Sequence, residues 1–272
     1  MKNFIFIAIV FIFLTGCVSN DLQQPTIQAQ IGQVLPITTP FLPTIKPHKA
    51  KVYCQFPDED GKPIIMTGVE MCSGYGNDLM VDNTIDTMTF HTGEAIKNMG
   101  TLIKVYAVID RFGATKSSGV DLDNSLFLKK LNENDRAAFV AKFFNSMGGA
   151  EFSRTPVKTG DVLYSNPVAD FILDGVSSYK GRVVLVTTGK LKKEIPNSKT
   201  YAYFDMQTMT LLCLNLQAYI DEDAAGIMLA KSRNPGISDN MALSLYRGMM
   251  KKPGEKIEPV FLETRVETTI IQ

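Results

Sequence analysis

Apolar and polar residues alternate most clearly over Leu102–Asp110. There Ile103, Val105, Ala107 and Ile109 fall on one side, with Lys104, Tyr106 and Asp110 on the other, which predicts a strand with one buried face. Thr208–Ile220 repeats the pattern: Leu212, Leu214, Leu216, Ala218 and Ile220 share a face, and Asn215, Gln217 and Tyr219 point away. Shorter runs predict strands at Lys51–Phe56, Thr87–His91, Ala150–Thr155, Val168–Val176 and Val183–Thr188. Asp58-Glu59-Asp60-Gly61 suits a turn that closes the first of these onto Ile64–Met66. One segment changes period. In Asn132–Met147, Val140, Phe143, Phe144 and Met147 form a single helical stripe. Asn132 and Asn134 are candidate caps, Asp135 suits the positive first turn, and Gly148-Gly149 ends the helix.

Elsewhere the pattern weakens. Gly68–Thr101 shows little period beyond the strand at Thr87–His91, and Arg111–Ser118 reads as a Gly/Ser loop. Asp221–Gly226 reads as a solvated turn rather than a metal site, returning the chain antiparallel through Ile227–Ala230. Lys190–Ser198 reads as a loop or hairpin tip, and Asn234–Lys256 is polar, with Met241, Leu243 and Leu245 alternating. The tail Pro259–Ile271 fits both a strand alternation and a helix opened by Glu258-Pro259.

The N-terminus has a different character. Lys2 precedes an unbroken apolar run, Phe4–Leu14, the arrangement of a secretory signal and too short for a membrane-spanning helix. It ends in Leu14-Thr15-Gly16-Cys17, which resembles a bacterial lipobox and predicts lipidation of Cys17 after removal of residues 1–16. Acyl chains there hold the chain on a membrane, at roughly 0.8 kcal/mol per buried methylene. Val18 stands where an aspartate would favour inner-membrane retention, so the expected location is the periplasmic side of the outer membrane. The Gln-, Thr- and Pro-rich stretch that follows completes an extended tether over 17–49.

Composition narrows the function. Lys+Arg and Asp+Glu balance at 28 each, leaving no basic surface for nucleic acid. Cys54 and Cys72 are candidates for a disulfide, worth roughly 3 kcal/mol in the chain-entropy picture, and Cys213 reads as a buried strand residue. Neither histidine, His48 or His91, lies near a cysteine in sequence, and no CxxC occurs, so no metal site is expected. Asp121-Leu122-Asp123-Asn124 lacks the glycine and glutamate of a calcium loop. Gly-x-Ser-x-Gly and His-Glu-x-x-His are both absent, and no enzymatic role or cofactor is expected.

Short motifs carry a resemblance. They are Val105–Gly113, the helix Asp135–Met147, Ala169-Asp170-Phe171-Ile172-Leu173-Asp174-Gly175, Leu212–Gly226 and Glu258-Pro259-Val260. Their order, behind a lipobox, resembles the curli secretion channel lipoproteins and the related holdfast-attachment lipoproteins over about residues 101–272. The resemblance implies an α+β fold class: a mixed α/β periplasmic domain with an antiparallel sheet, giving β-hairpins to an oligomeric outer-membrane barrel. Residues 50–100, an irregular N-terminal β region, have no counterpart. The implied barrel hairpins are Lys180–Thr210 and Lys231–Glu258, and Asn124 and Phe127 stand nearest the family's constriction pair. The expected role is a homo-oligomeric subunit of a secretion or surface-assembly channel, with a secreted protein or envelope components as partners. The alternative is a monomeric tethered lipoprotein that binds and activates a periplasmic cell-wall enzyme.

Overall fold

The computed structural model describes residues 31–57, 63–89, 95–97, 103–121, 123, 132–134, 151–166, 169–192, 198–234, 237–250 and 260–271. Their architecture is a large, open antiparallel sheet with few helices. In chain order the strands are β1 (His48–Pro57), β2 (Pro63–Tyr75), β3 (Asp78–Thr89), β4 (Ala95–Lys97), β5 (Ile103–Ile109), β6 (Thr115–Val120), β7 (Glu151–Phe152), β8 (Val162–Ser165), β9 (Ala169–Tyr179), β10 (Arg182–Leu191), β11 (Ser198–Asp205), β12 (Leu211–Ile220) and β13 (Val260–Ile270). Twelve lie side by side in the order β6-β5-β3-β2-β1-β13-β12-β11-β10-β9-β8-β7, with β4 paired to β3. The strands of residues 50–100 therefore belong to the same sheet as the rest. β1 and β13 form its middle, with Cys54 opposite Val266 and Ala50 opposite Ile270.

Turn chemistry explains the hairpins. Lys180 and Gly181 both adopt positive φ, 49° and 77°, as a two-residue turn matched to strand twist requires. The turn from β11 to β12 is built on Asp205. Its Oδ1 accepts from the Gln207 and Thr208 amides and the Thr208 hydroxyl, and Met209 takes φ 58°. The turn absorbs residues 208–210, so β12 starts at Leu211.

β5 matches its predicted alternation residue by residue. β10 does not alternate, because Val184, Leu185 and Val186 are all buried on a strand covered on both faces. The ambiguous tail is β13, a strand. Of the loop expected at Arg111–Ser118, Thr115–Ser118 belongs to β6, which pairs with β5 as an edge strand.

Two expectations fail at the turn after β12. Asp221–Ala230 is not a turn and returning strand: Glu222–Arg233 is a helix, α1. Asp221 caps it, its carboxylate accepting from the Ala224 amide at 2.8 Å, while Glu222 and Asp223 suit the positive first turn. The alternation of Met241, Leu243 and Leu245 gives way to α2 (Asp239–Leu245), capped by Ser238, which runs into a π-helical turn, Tyr246–Met250. Gly226 is a packing residue, since a Cβ there would lie 2.2 Å from Cδ1 of Tyr246. Of the helix expected at Asn132–Met147, only 132–134 are described, with 133 and 134 helical.

Apolar side chains gather into distinct cores. One joins Cys54, Met66, Cys72, Leu79, Ile103 and Val105 from β1, β2, β3 and β5. Another is aromatic: Phe152, Phe171 and Phe204 pack with Tyr164 at ring separations of 5.2 to 5.6 Å. Ile45 packs against both. It belongs to a strap, residues 31–47, and this corrects the tether. From Ile31 onward the chain is bound to the sheet: Leu35 exchanges backbone hydrogen bonds with Val176 and Phe41 with Val157, and the Ile45 amide donates to the Arg111 carbonyl. The far corners of the sheet are also stitched. The Phe152 amide donates to the Phe112 carbonyl, and Arg154 pairs with Asp110 at 2.6 Å.

Candidate functional site

Cross-strand register places the most unusual side chains of the sheet in two rows. Tyr53, Glu267, Cys213 and Tyr203 stand opposite one another across β1, β13, β12 and β11; Gln55, Arg265, Asn215 and Tyr201 form the next row. Partners in register share a face, so both rows lie on one side of the central strands. Tyr53, Tyr201, Arg265 and Glu267 are half-buried there, neither sealed nor fully solvated.

Ion pairs fix the rows. Nε and Nη2 of Arg265 both donate to Oε1 of Glu267, and Lys180 donates to its other oxygen at 3.0 Å. Burial pushes the Glu267 carboxyl upward, yet Arg265 and Lys180 outweigh it and hold the group below the ordinary carboxylate range. Glu263 accepts from the Asn215 amide at 2.7 Å and from the Gln217 amide at 3.1 Å. Asn215 Oδ1 is buried without a hydrogen-bond partner among the described residues. Tyr201 and Tyr203 stack at 5.3 Å, and burial raises both phenols, Tyr203 to about 12. Cys213, raised to about 11 by burial and by the Glu267 charge, is a protonated thiol at neutral pH.

A second polar cluster lies where the strap enters β1. His48 stands opposite Cys72; its Nδ1 bonds the Lys46 carbonyl at 2.8 Å and its Nε2 bonds Glu70 at 2.9 Å. Burial acts to lower the imidazole, but the contacts with Cys72, Glu70 and Lys46 prevail and raise it to about 10. Protonated, both ring nitrogens donate, which ties the strap to β2. Cys72, His48 and Glu70 are a thiol, an imidazole and a carboxylate gathered together, but His48 and Cys72 are buried. The cluster's evident role is to hold the chain.

No family model matches this sequence. No curated protein matches it either.

The structure separates the residues singled out from sequence. Cys54 and Cys72 both enter the first core as thiols, and the expected disulfide is not formed. Cys54 pairs with Met66 and Cys72 with His48, six positions apart on one ladder. At ~3.3 Å per residue that is about 20 Å, against the ~7 Å a disulfide tolerates. Burial raises the Cys54 thiol to about 12. Cys213 is buried, as its strand position predicts. Cys17, His91, Asn124 and Phe127 lie outside the described residues. Asp221, Glu222 and Asp223 serve the start of α1, and no group of three metal-binding side chains occurs among the described residues.

The ion rows were hidden by their own ambiguity. Asn215 and Gln217 stand out as polar positions of β12, but their partners Glu263, Arg265 and Glu267 fall in the tail that fits two periods equally. His48 and Glu70 are twenty-two residues apart, and only the β1–β2 register brings them together.

Proposed function

We propose that this protein is a lipid-anchored envelope protein, held at Cys17, that works by binding a periplasmic partner through the central face of its sheet. The observation that carries this reading is the double row itself. Its half-buried members, Tyr53, Tyr201, Arg265 and Glu267, set tyrosines beside paired charges of both signs, which suits a protein surface with matching polar groups better than a polyanion or a purely apolar ligand. The Arg265–Glu267–Lys180 network holds the row in place before any partner arrives. Of the two roles expected from sequence, the tethered partner-binding lipoprotein is favoured by where the hairpins lie. β10 and β11 carry Val184, Leu185, Ala202, Tyr203 and Phe204 into the cores, so the segment proposed as a barrel hairpin is engaged inside the sheet. The described part of 231–258 is helical between Asp239 and Met250.

A photo-crosslinking residue at position 201 tests the binding face in intact cells. The expected result is one dominant adduct of defined mass, lost when Arg265→Glu is added. An adduct pattern matching that of a probe at Lys116 on edge strand β6 refutes the reading. Incorporation of labelled palmitate, abolished by Cys17→Ser, tests the anchor separately.

A channel subunit is the second reading, and one feature favours it. The β2–β3 hairpin has strands of 13 and 12 residues, longer than the ~9–11 a membrane-spanning strand needs. Light scattering on the full chain in detergent separates the two: a monomer supports partner binding, whereas a ring of many subunits supports the channel.

A further inference from the structure

Described contacts begin at Ile31, which bridges to Tyr179 beside the β9–β10 turn. From there the strap, β9, β10 and the β11–β12 turn lie side by side at one end of the sheet. The Gly32 amide donates to the Ser178 carbonyl at 3.2 Å, Ser178 stands opposite Val183, and the Met206 amide donates to the Val183 carbonyl at 3.0 Å. Leu35 joins the same end through Val176. Three apolar side chains are solvent-facing here: Leu35 at 53%, Val183 at 56% and Met206 at 40% exposure. Lys180 and Arg182 stand at the β9–β10 turn beside them, paired with Glu267 and Asp205.

Thirteen residues lie between Cys17 and Ile31, a span of fourteen chain steps. Whatever path they take, they reach no farther than about 50 Å at ~3.3–3.6 Å per residue. We propose that the end of the sheet bearing Leu35, Val183 and Met206 rests on a phospholipid bilayer, the one that holds the acyl chains at Cys17. This rests on the lipid-anchor reading above. Three exposed apolar side chains gathered at one end of the sheet suit the boundary between acyl chains and headgroups. So small a patch binds membranes weakly by itself. The anchor supplies what it lacks, because the short connection keeps this end of the domain at high local concentration over the lipid. Met241 and Met249 are also exposed, but they follow β12 on the helical insert, about 33 Å along that strand from the entry end.

The test uses the acylated full chain in phosphatidylcholine vesicles, with and without bromine-substituted acyl chains. An environment-sensitive fluorophore is placed on Val183→Cys, on Leu35→Cys and, as the distal control, on Met241→Cys. The natural thiols Cys54, Cys72 and Cys213 are at most 3% exposed, and unsubstituted protein measures their background. Bromolipid is expected to quench the probes at 183 and 35 at least twofold more than the probe at 241. Quenching at 183 and 35 no greater than at 241, in protein whose intact mass shows acyl chains on Cys17, overturns the docked orientation while the anchor stands. An intact mass without acyl chains overturns both.

Discussion

The halves of the sheet on either side of the β1–β13 seam are built from different materials. From β7 to β12 the core is aromatic, with Phe152, Tyr164, Phe171 and Phe204 packed at tilted and edge-on angles, and its buried carboxylate, Asp205, pairs with Arg182 of β10 while accepting from the amides of its own turn. From β1 to β6 the core is aliphatic and thiol-bearing, and its buried imidazole, His48, bonds the Lys46 carbonyl of the strap and Glu70 of β2. Aromatic packing makes the first half depend on shape. In the second, integrity depends on a proton.

The largest break in that contrast is Phe204→Ala. It removes a ring touching both Phe152 and Tyr164, and about 3–5 kcal/mol of stability is expected to be lost in urea unfolding, with the denaturant slope unchanged. Asp205→Ala follows, at about 3 kcal/mol, because it leaves Arg182 without its partner and the turn amides without their acceptor. Burial opposes ionisation of Asp205, but Arg182 and Thr208 hold its carboxyl below the ordinary value of 3.8. Its contribution is therefore present above pH 4 and fades as pH falls through the folded-state value. The gap between wild type and Asp205→Asn should close on acidification, and a gap independent of pH contradicts the pairing.

In the other half the pH dependence has the opposite sign. His48 rises from 6.5 to about 10 on folding, so its contribution is complete below pH 6.5 and disappears as pH climbs through about 10. His48→Gln should cost a few kcal/mol at pH 6 and little at pH 10, by thermal melts across that range. A cost that does not shrink with pH means the imidazolium is not what holds the strap. The smallest expected effect is that of reductant. Because Cys54 and Cys72 stand far apart and are not joined by a disulfide, dithiothreitol should leave the melting temperature unchanged, and denaturation should expose Cys54, Cys72 and Cys213 to a thiol reagent without prior reduction.

The same contrast explains what could be read in advance. β5, β9 and β12 announced themselves because an apolar face alternates with a polar one. β2 and β3 showed only at one end, at Ile64–Met66 and Thr87–Thr89: beyond it, Gly68 sits at a bulge where a Cβ would lie 2.0 Å from the Thr84 carbonyl oxygen, and Asp82, Asn83 and Thr84 occupy consecutive positions. The rest of their length is strand by pairing with β1 and β5, which no local window contains. The helical insert was missed for another reason. Asp221-Glu222-Asp223 is as good a cap and first turn as it is a solvated bend, and deciding between them requires Tyr246 closing on Gly226. Of the candidate site, the chemistry of β12 was visible in part, while Arg265 and Glu267 gained meaning only once β13 was known to be a strand.

β1 and β13 sit next to each other in the middle of the sheet, yet about two hundred residues of chain separate them. Seam contacts of such high contact order form late, after loop-closure entropy has been overcome. A chain emerging from a ribosome or a translocon must therefore hold both half-sheets with raw, unpaired edges until its last strand arrives. That interval is when it is most exposed to aggregation, and when a holding chaperone has the most to protect.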